Sequence, residues 1–240
     1  MAEETKRRFF YGYVIVIGAW LAMFVSAGTQ FSFSIFFPAL LEDFGWTRGM
    51  LSLGFTLNLL LMPVFGLLSG YLVDRIGPRR TVIIGAIIGG IGVALLSTVT
   101  QIWQFILIYG VLVPMGIGLS YIIPTVSTVR RWFMRKAGKM GAIAWTGSGL
   151  GIVFLVIAAH AMINSWGWRT SYIAFGVILL VGAVIGGLLL RKDPESMGTY
   201  PDGVRPSEEE LEARADFAAR GEKWSVREVI KTPSWWLLVG

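Results

Sequence analysis

The chain has 240 residues, of which 55% are hydrophobic and 15% charged, and it contains no cysteine. Soluble domains carry about 25% charged residues, so this composition argues against an ordinary soluble protein, and the missing cysteines exclude disulfides and thiolate metal sites. The net charge of +6 could indicate nucleic-acid binding, but the cations lie in short segments between apolar runs, as in membrane proteins.

Six apolar runs of near-spanning length follow one another along the chain. A helix needs about 20 apolar residues to cross the hydrocarbon core. Because backbone polar groups in lipid must be bonded within their own segment, we predict α-helices and not strands. Pro38 is expected to end the first of them. The predicted spans cover residues 11–37, 51–73, 82–99, 105–129, 140–163 and 171–190.

The basic residues predict an orientation for these spans. Cations at the N-terminus, after span 2, between spans 4 and 5 and after span 6 share one side, while only Arg48 and Arg169 fall on the other. Lys and Arg are enriched in cytoplasmic loops. We therefore expect an integral protein of the plasma (inner) membrane with a cytoplasmic N-terminus and a cytoplasmic segment 191–232.

Neutral polar side chains are the candidate binding groups inside the spans, since no Asp, Glu, Lys or Arg occurs there. Thr29 and Gln30 lie near the middle of span 1, and Asn58 lies in span 2. Each could line a substrate cavity or form an interhelical hydrogen bond, because polar groups in membranes serve both purposes. For Asn58 the structural role is favoured, and for Gln30 the two roles weigh equally.

A basic turn follows span 2. Gly77 and Pro78 supply the reversal, and Asp74 can accept hydrogen bonds from cationic side chains. The pattern Gly-x-x-x-Asp-Arg-x-Gly-x-Arg-Arg resembles the loop between spans 2 and 3 of major facilitator superfamily transporters. Its members here are Gly70, Asp74, Arg75, Gly77, Arg79 and Arg80. The resemblance implies that Asp74 latches two transporter domains at their cytoplasmic ends, with Arg130 or Arg131 as partner, whereas the plainer reading is a solvated ion pair.

Spans 4 and 5 supply the remaining candidates. Tyr121, Thr125 and Thr128 recur at i, i+4 and i+7, so they share one helix face. That face could line a cavity or pack against span 1. Trp145 and Ser148 in span 5 are candidates for substrate contact, although the glycines beside them indicate close helix packing.

Two further segments indicate a branch of the superfamily. Residues 130–147 show an aromatic-Phe-x-basic-basic pattern followed by small residues, which is similar to a signature of the monocarboxylate transporter group. Residues 28–38 and 44–48 resemble bacterial members, including the oxalate–formate antiporter branch.

The resemblance implies a fold and an activity. The fold is an all-α membrane protein whose six transmembrane helices form two inverted three-helix repeats, the N-terminal domain of a twelve-span transporter. The activity is secondary active transport of small monocarboxylates or dicarboxylates by alternating access, with symport and antiport both open. The cavity would lie between spans 1 and 4, flanked by spans 2 and 5.

Three regions are expected along the chain. Residues 1–190 form the six-span domain, residues 191–232 form a polar cytoplasmic linker, and residues 233–240, which begin with Pro233 and two tryptophans, start a truncated seventh span. The resemblance implies that the expected C-terminal half, which is missing from this chain, carries the substrate-binding cations and the proton-coupling acid.

Two other classes of membrane protein are alternatives to a transporter half. An intramembrane serine protease fails because His160 lies 12 residues from Ser148 on one predicted helix, about 18 Å at 1.5 Å per residue. A self-contained six-span homodimer or assembly partner stays open as the alternative. The sequence contains no P-loop. The expected partners are therefore the lipid bilayer, a small organic anion and protons as a candidate coupling ion, with no cofactor, metal or nucleic acid.

Overall fold

The computed structural model describes residues 10–204, except for the side chain of Ser196. In this part of the chain, five apolar helical stretches are long enough to cross a membrane. They cover Gly12–Phe44, Arg48–Ile76, Pro78–Thr98, Ile102–Trp132 and Ala137–Leu189. The chain is therefore an integral membrane protein, as its composition predicts, and the described part of it contains helices and no strands.

The first stretch consists of α1 (Gly12–Phe31) and α2 (Phe33–Phe44). The hydroxyl of Ser32 donates a hydrogen bond to the carbonyl of Gly28 at 2.6 Å, an interaction that bends helices. The predicted end at Pro38 is wrong, because α2 continues through Pro38 and ends at Gly45, whose φ is +63°. Small and aliphatic residues of α1, such as Ala19 and Ala22, are fully buried, which makes α1 a central helix.

Two helices follow and are joined by a tight turn. In α3 (Arg48–Ile76) the Thr47 side chain caps the first turn by accepting from the amide of Met50 at 3.3 Å. Gly77 has φ +85° and ψ 161°, a conformation that favours glycine. Pro78 then begins α4 (Pro78–Leu95), where its missing amide costs no helical bond.

The stretch Ile102–Trp132 is irregular, although the sequence predicts one regular span there. It consists of α5 (Ile102–Leu107), a π-helical turn (Ile108–Leu112), α6 (Val113–Ser120) and α7 (Ile122–Trp132). Tyr121 separates the last two helices, with φ −94° and ψ −105°.

The last stretch, α8 (Ala137–Leu189), has 53 residues and is interrupted at Gly167, which has φ +75° and ψ 163°. Before this point, Gly147 and Gly151 lie against Trp20 and Phe24, so α8 runs parallel to α1. After it, Gly182 and Gly186 lie against Val25 and Gly18, so α8 runs antiparallel to α1. The two parts of α8 therefore point in opposite directions.

Residues 191–203 belong to the same compact unit as the helices. Two short 3₁₀ turns, Glu195–Met197 and Pro201–Gly203, shape this segment. A second unit begins at Val204. The rest of the predicted linker and the predicted seventh-span start at 233–240 lie outside the described residues.

Candidate functional site

An ion-pair cluster joins three segments at one end of the helices. A carboxylate oxygen of Asp74, at the end of α3, lies 2.6 Å from Nη2 of Arg131, near the end of α7. Nη1 of Arg131 lies 3.5 Å from Asp193, and Nζ of Lys192 donates to the backbone carbonyl of Asp74 at 3.0 Å. We call the end that carries Asp74, Arg131 and Lys192 the basic end.

The rest of the predicted turn motif surrounds this cluster. Gly77 makes the reversal, and Arg79 and Arg80 lie exposed in the first turn of α4. The guanidinium of Arg75 lies 4.7 Å from the centre of the Tyr71 ring, in cation–π geometry. Gly70 lies in α3, where an added methyl group would be in ordinary contact with Ile123. Of the two arginines expected beside Asp74, the structure brings Arg131 to it.

Asp202 is a residue at the basic end that the sequence analysis missed. One of its carboxylate oxygens, Oδ2, accepts hydrogen bonds from the amides of Met134 and Arg135, at 2.9 and 2.7 Å. The buried Pro201 and the positive φ values of Asp202 and Gly203 set this conformation. The Pro-Asp-Gly triplet is a turn signal that could have been recognised. The sequence does not show that Asp202 would bind backbone amides between α7 and α8.

A groove of about 1060 Å³ lies between α7 and the first part of α8. The Tyr121 hydroxyl donates to Ser148 Oγ at 3.2 Å, and the Tyr121 ring stacks with Trp145 at 6.5 Å between centroids. Arg130 also lines the groove. In the described part of the chain Arg130 is exposed and makes no ion pair or side-chain hydrogen bond, so its charge is available to a ligand.

A second groove of about 610 Å³ adjoins the first, since Phe31 and Ile152 line both. Gln30 lines this second groove. Its Nε2 donates to Asn58 Oδ1 at 2.5 Å, and Nδ2 of Asn58 donates to the carbonyl of Tyr109 at 2.8 Å. Asn58 is fully buried in this relay, which is the structural role favoured for it.

Three other candidates turn away from the grooves. Thr125 and Thr128 are fully buried, and their hydroxyls donate to the carbonyls of Tyr121 and Pro124 within their own helix. Neither residue lines the large groove beside Tyr121. Thr29 is buried, and its hydroxyl has no hydrogen-bond partner in the described part of the chain.

The side chains around the two grooves are suited to binding a ligand. Ser148 receives a hydrogen bond from a tyrosine, and the exposed His160 is hydrogen-bonded to Asn164 at 3.1 Å on the same helix. Among residues 10–204, no group of three or more His, Cys, Asp or Glu side chains is placed to hold a metal ion. The described residues that line the grooves offer aromatic faces, a few hydroxyl and amide groups, and one cation.

Comparison with known proteins gives consistent likenesses. A profile of the Major Facilitator Superfamily matches residues 19–240. Monocarboxylate transporter 14 of Mus musculus is 23% identical over 82% of this chain and 38% of its own length. Monocarboxylate transporter 1 of Homo sapiens is 25% identical over 92% and 46%. The MFS transporter asaE of Aspergillus flavus is 30% identical over 80% and 44%. The chain spans less than half the length of these relatives.

Proposed function

The chain belongs to the Major Facilitator Superfamily, and we propose that it is the N-terminal half of a secondary active transporter for small organic anions. Relatives of this chain are named monocarboxylate transporters, which supports a monocarboxylate as substrate. The proposal also includes small dicarboxylates. The family and these relatives are transporters, so no enzymatic reaction is assigned. In this proposal the reversal at Gly167 makes α8 two spans, so that six spans form two inverted three-helix repeats.

The observation that carries the anion proposal is Arg130, which lines the groove beside Tyr121, Trp145 and Ser148 and makes no ion pair within residues 10–204. A guanidinium near a low-dielectric wall attracts carboxylates and orients them by charge-assisted hydrogen bonds. Of the described residues, Arg130 is the only ionised one that lines either groove. This half therefore supplies attraction at one end of the groove and shape and hydroxyl groups along it.

The proposed mechanism is alternating access. The protein would lie in the plasma (inner) membrane, with its basic end facing the cytoplasm. Lys and Arg are concentrated at that end of the helices, and cytoplasmic loops of membrane proteins are enriched in these two residues. Asp74, held by Arg131 within this half, would latch this end to the second half in the closed arrangement and release it when the two halves rock apart. A second six-span half completes the cavity, and a proton or substrate gradient supplies the energy.

Uptake into proteoliposomes tests this proposal. We expect the complete transporter, this half together with a second six-span half, to take up labelled lactate, formate or oxalate, and uptake to respond to a pH gradient if protons are coupled. The 240-residue chain alone should show no uptake above empty liposomes. Uptake by the 240-residue chain alone would favour a self-contained six-span assembly, and uptake of none of the three anions by the complete protein would contradict the substrate class.

A further inference from the structure

A small cavity lies deep among the helices and shares two lining residues, Gln30 and Phe33, with the second groove. Its free volume is about 10 Å³, the lower limit for one water molecule. All ten lining residues are buried. Four of them are polar, namely Thr29, Gln30, Tyr109 and Tyr172.

Within the part of the chain that the structure describes, each of these four residues has a polar atom without a hydrogen-bond partner. They are Oγ1 of Thr29, Oε1 of Gln30 and the hydroxyls of Tyr109 and Tyr172. The four side chains come from α1, the π-helical turn and the last part of α8 and are between 3% and 8% exposed. A buried polar group without a hydrogen bond costs about 1–3 kcal/mol, so four of them around one cavity need an explanation.

The orientation of Gln30 is fixed by its neighbours. The carbonyl of Tyr109 can only accept, so Nδ2 of Asn58 must donate to it, which leaves Oδ1 of Asn58 as an acceptor. Gln30 must therefore donate through Nε2. Its Oε1, which can only accept, is the atom left for the cavity.

The two tyrosines are held equally firmly. The ring of Tyr109 stacks on Phe33 at 4.2 Å, and the ring of Tyr172 stacks on Phe36 at 3.9 Å. Because stacking holds both rings, neither can readily swing its hydroxyl to another partner.

We propose that one structural water molecule occupies this cavity and joins the four groups. A water has two donors and two acceptor sites. It can donate to Gln30 Oε1 and Thr29 Oγ1 and accept from the two tyrosine hydroxyls, which accounts for all four atoms. A bound cation fits poorly, since the lining has no carboxylate and an uncompensated charge in the membrane interior is costly.

The water holds Gln30 in place beside the second groove. Nε2 of Gln30 is fixed by Asn58 and Oε1 by the water, so the amide presents one rigid surface to that groove. This inference does not depend on the transported substrate.

The sign of a stability change tests the proposal in the purified full chain in detergent. With the water present, Tyr109→Phe and Tyr172→Phe each remove a hydrogen bond, and we expect each to lower the Tm by about 2–4 °C. In a dry cavity the same change removes an unpartnered hydroxyl, so the Tm would stay or rise. Tyr13→Phe is the control, because Tyr13 is 44% exposed, and its Tm should not change.

Three results would overturn the proposal. One is a Tm that stays or rises in both cavity variants. Another is strict additivity in the double variant, because hydroxyls that share one water should be coupled. The third is a higher Tm in NaCl than in choline chloride at equal ionic strength, if Tyr172→Phe abolishes the difference. This result would indicate bound sodium.

If the variants do not fold, a high-resolution structure of the unaltered chain is the test. One density peak in this cavity would support the proposal, and an empty cavity would overturn it.

Discussion

At the scale of single residues, two adjacent arginines at the end of α7 have different surroundings. Arg131 contacts Asp74 and Asp193, whereas Arg130 lines the large groove. Successive residues on a helix point about 100° apart, so only one of two neighbours can face the turn after α3. The sequence predicts the pairing of Asp74 with an arginine here but not which one, because that depends on the rotation of α7 about its axis.

Asp74→Asn in the complete transporter should lower the uptake turnover at least tenfold while leaving the Tm nearly unchanged. The Asp74 side chain is 69% exposed, and an exposed ion pair contributes only about 0–1 kcal/mol to stability. Turnover at saturating substrate and thermal unfolding of the same preparation are the measurements. Uptake close to that of the unaltered protein would contradict the latch, and the double exchange Asp74→Arg with Arg131→Asp should restore part of the loss.

Arg130→Gln is the matched comparison at the next position. It keeps the Asp74–Arg131 pair and removes the cation from the groove, so we expect the KM for an anion to rise about three- to tenfold with turnover preserved. The effect should weaken as ionic strength increases, because salt screens an exposed charge. An unchanged KM, measured for the same substrate as for Asp74→Asn, would remove Arg130 from the binding role.

The hydroxyl residues of α7 show where helical periodicity misleads. Tyr121, Thr125 and Thr128 share a face only if the helix is continuous, but the backbone breaks at Tyr121. The threonine hydroxyls bond to carbonyls one turn earlier, as Thr and Ser commonly do in membrane helices. Only Tyr121 of the three reaches the groove, and the sequence has no signal for that difference.

At the scale of elements, the packing of α1 on α8 depends on glycines at the contact. A β-carbon at Gly151 would overlap the carbonyl oxygen of Phe24, and one at Gly28 would lie 2.5 Å from the carbonyl oxygen of Gly151. Small residues allow close backbone approach in membranes. The glycine content predicts such contacts, but which glycines meet is visible only in three dimensions.

Gly151→Ala should therefore destabilise the protein by about 1–3 kcal/mol, because the overlapping atom belongs to backbone and α1 must shift. Gly149→Ala is the control two residues away on the same helix, where an added methyl group meets no atom within 4 Å. The Tm of this control should stay the same or rise, since alanine is more favourable than glycine in a helix by about 1 kcal/mol. Equal Tm values for the two variants in a detergent unfolding series would contradict the close contact.

Element boundaries were less predictable than element existence. Pro38 predicts a helix end, yet the helix is interrupted earlier, at Ser32, and the proline lies within α2. The π-helical turn at Ile108–Leu112 has no sequence signature, although it places Tyr109 beside Asn58. The contact of Tyr109 depends on a partner on another helix, and the interruption at Ser32 goes with a hydroxyl–carbonyl bond one turn back, so helix propensity alone predicts neither.

At the scale of the whole molecule, the all-helical membrane fold follows from the apolar runs, and the reversal at Gly167 follows from local chemistry. Trp166, Gly167 and Trp168 interrupt the fifth apolar stretch, and the guanidinium of Arg169 donates to the carbonyls of Ser97 and Val99 at 2.9 and 3.1 Å. These bonds tie the reversal to the loop after α4. Which side of the membrane this end faces depends on insertion, and the charge pattern alone predicts it.

Cysteine labelling can test orientation and span number together, because the chain has no native cysteine. We expect an impermeant maleimide added to intact cells to label Thr100→Cys and Ser165→Cys, and to label Lys139→Cys and Glu195→Cys only after permeabilisation. All four positions are exposed. If α8 crosses the membrane twice, Ser165 must lie opposite both Lys139 and Glu195. Labelling of Ser165→Cys and Glu195→Cys from the same side would leave five crossings, and the inverse pattern at all four positions would reverse the orientation that the basic residues predict.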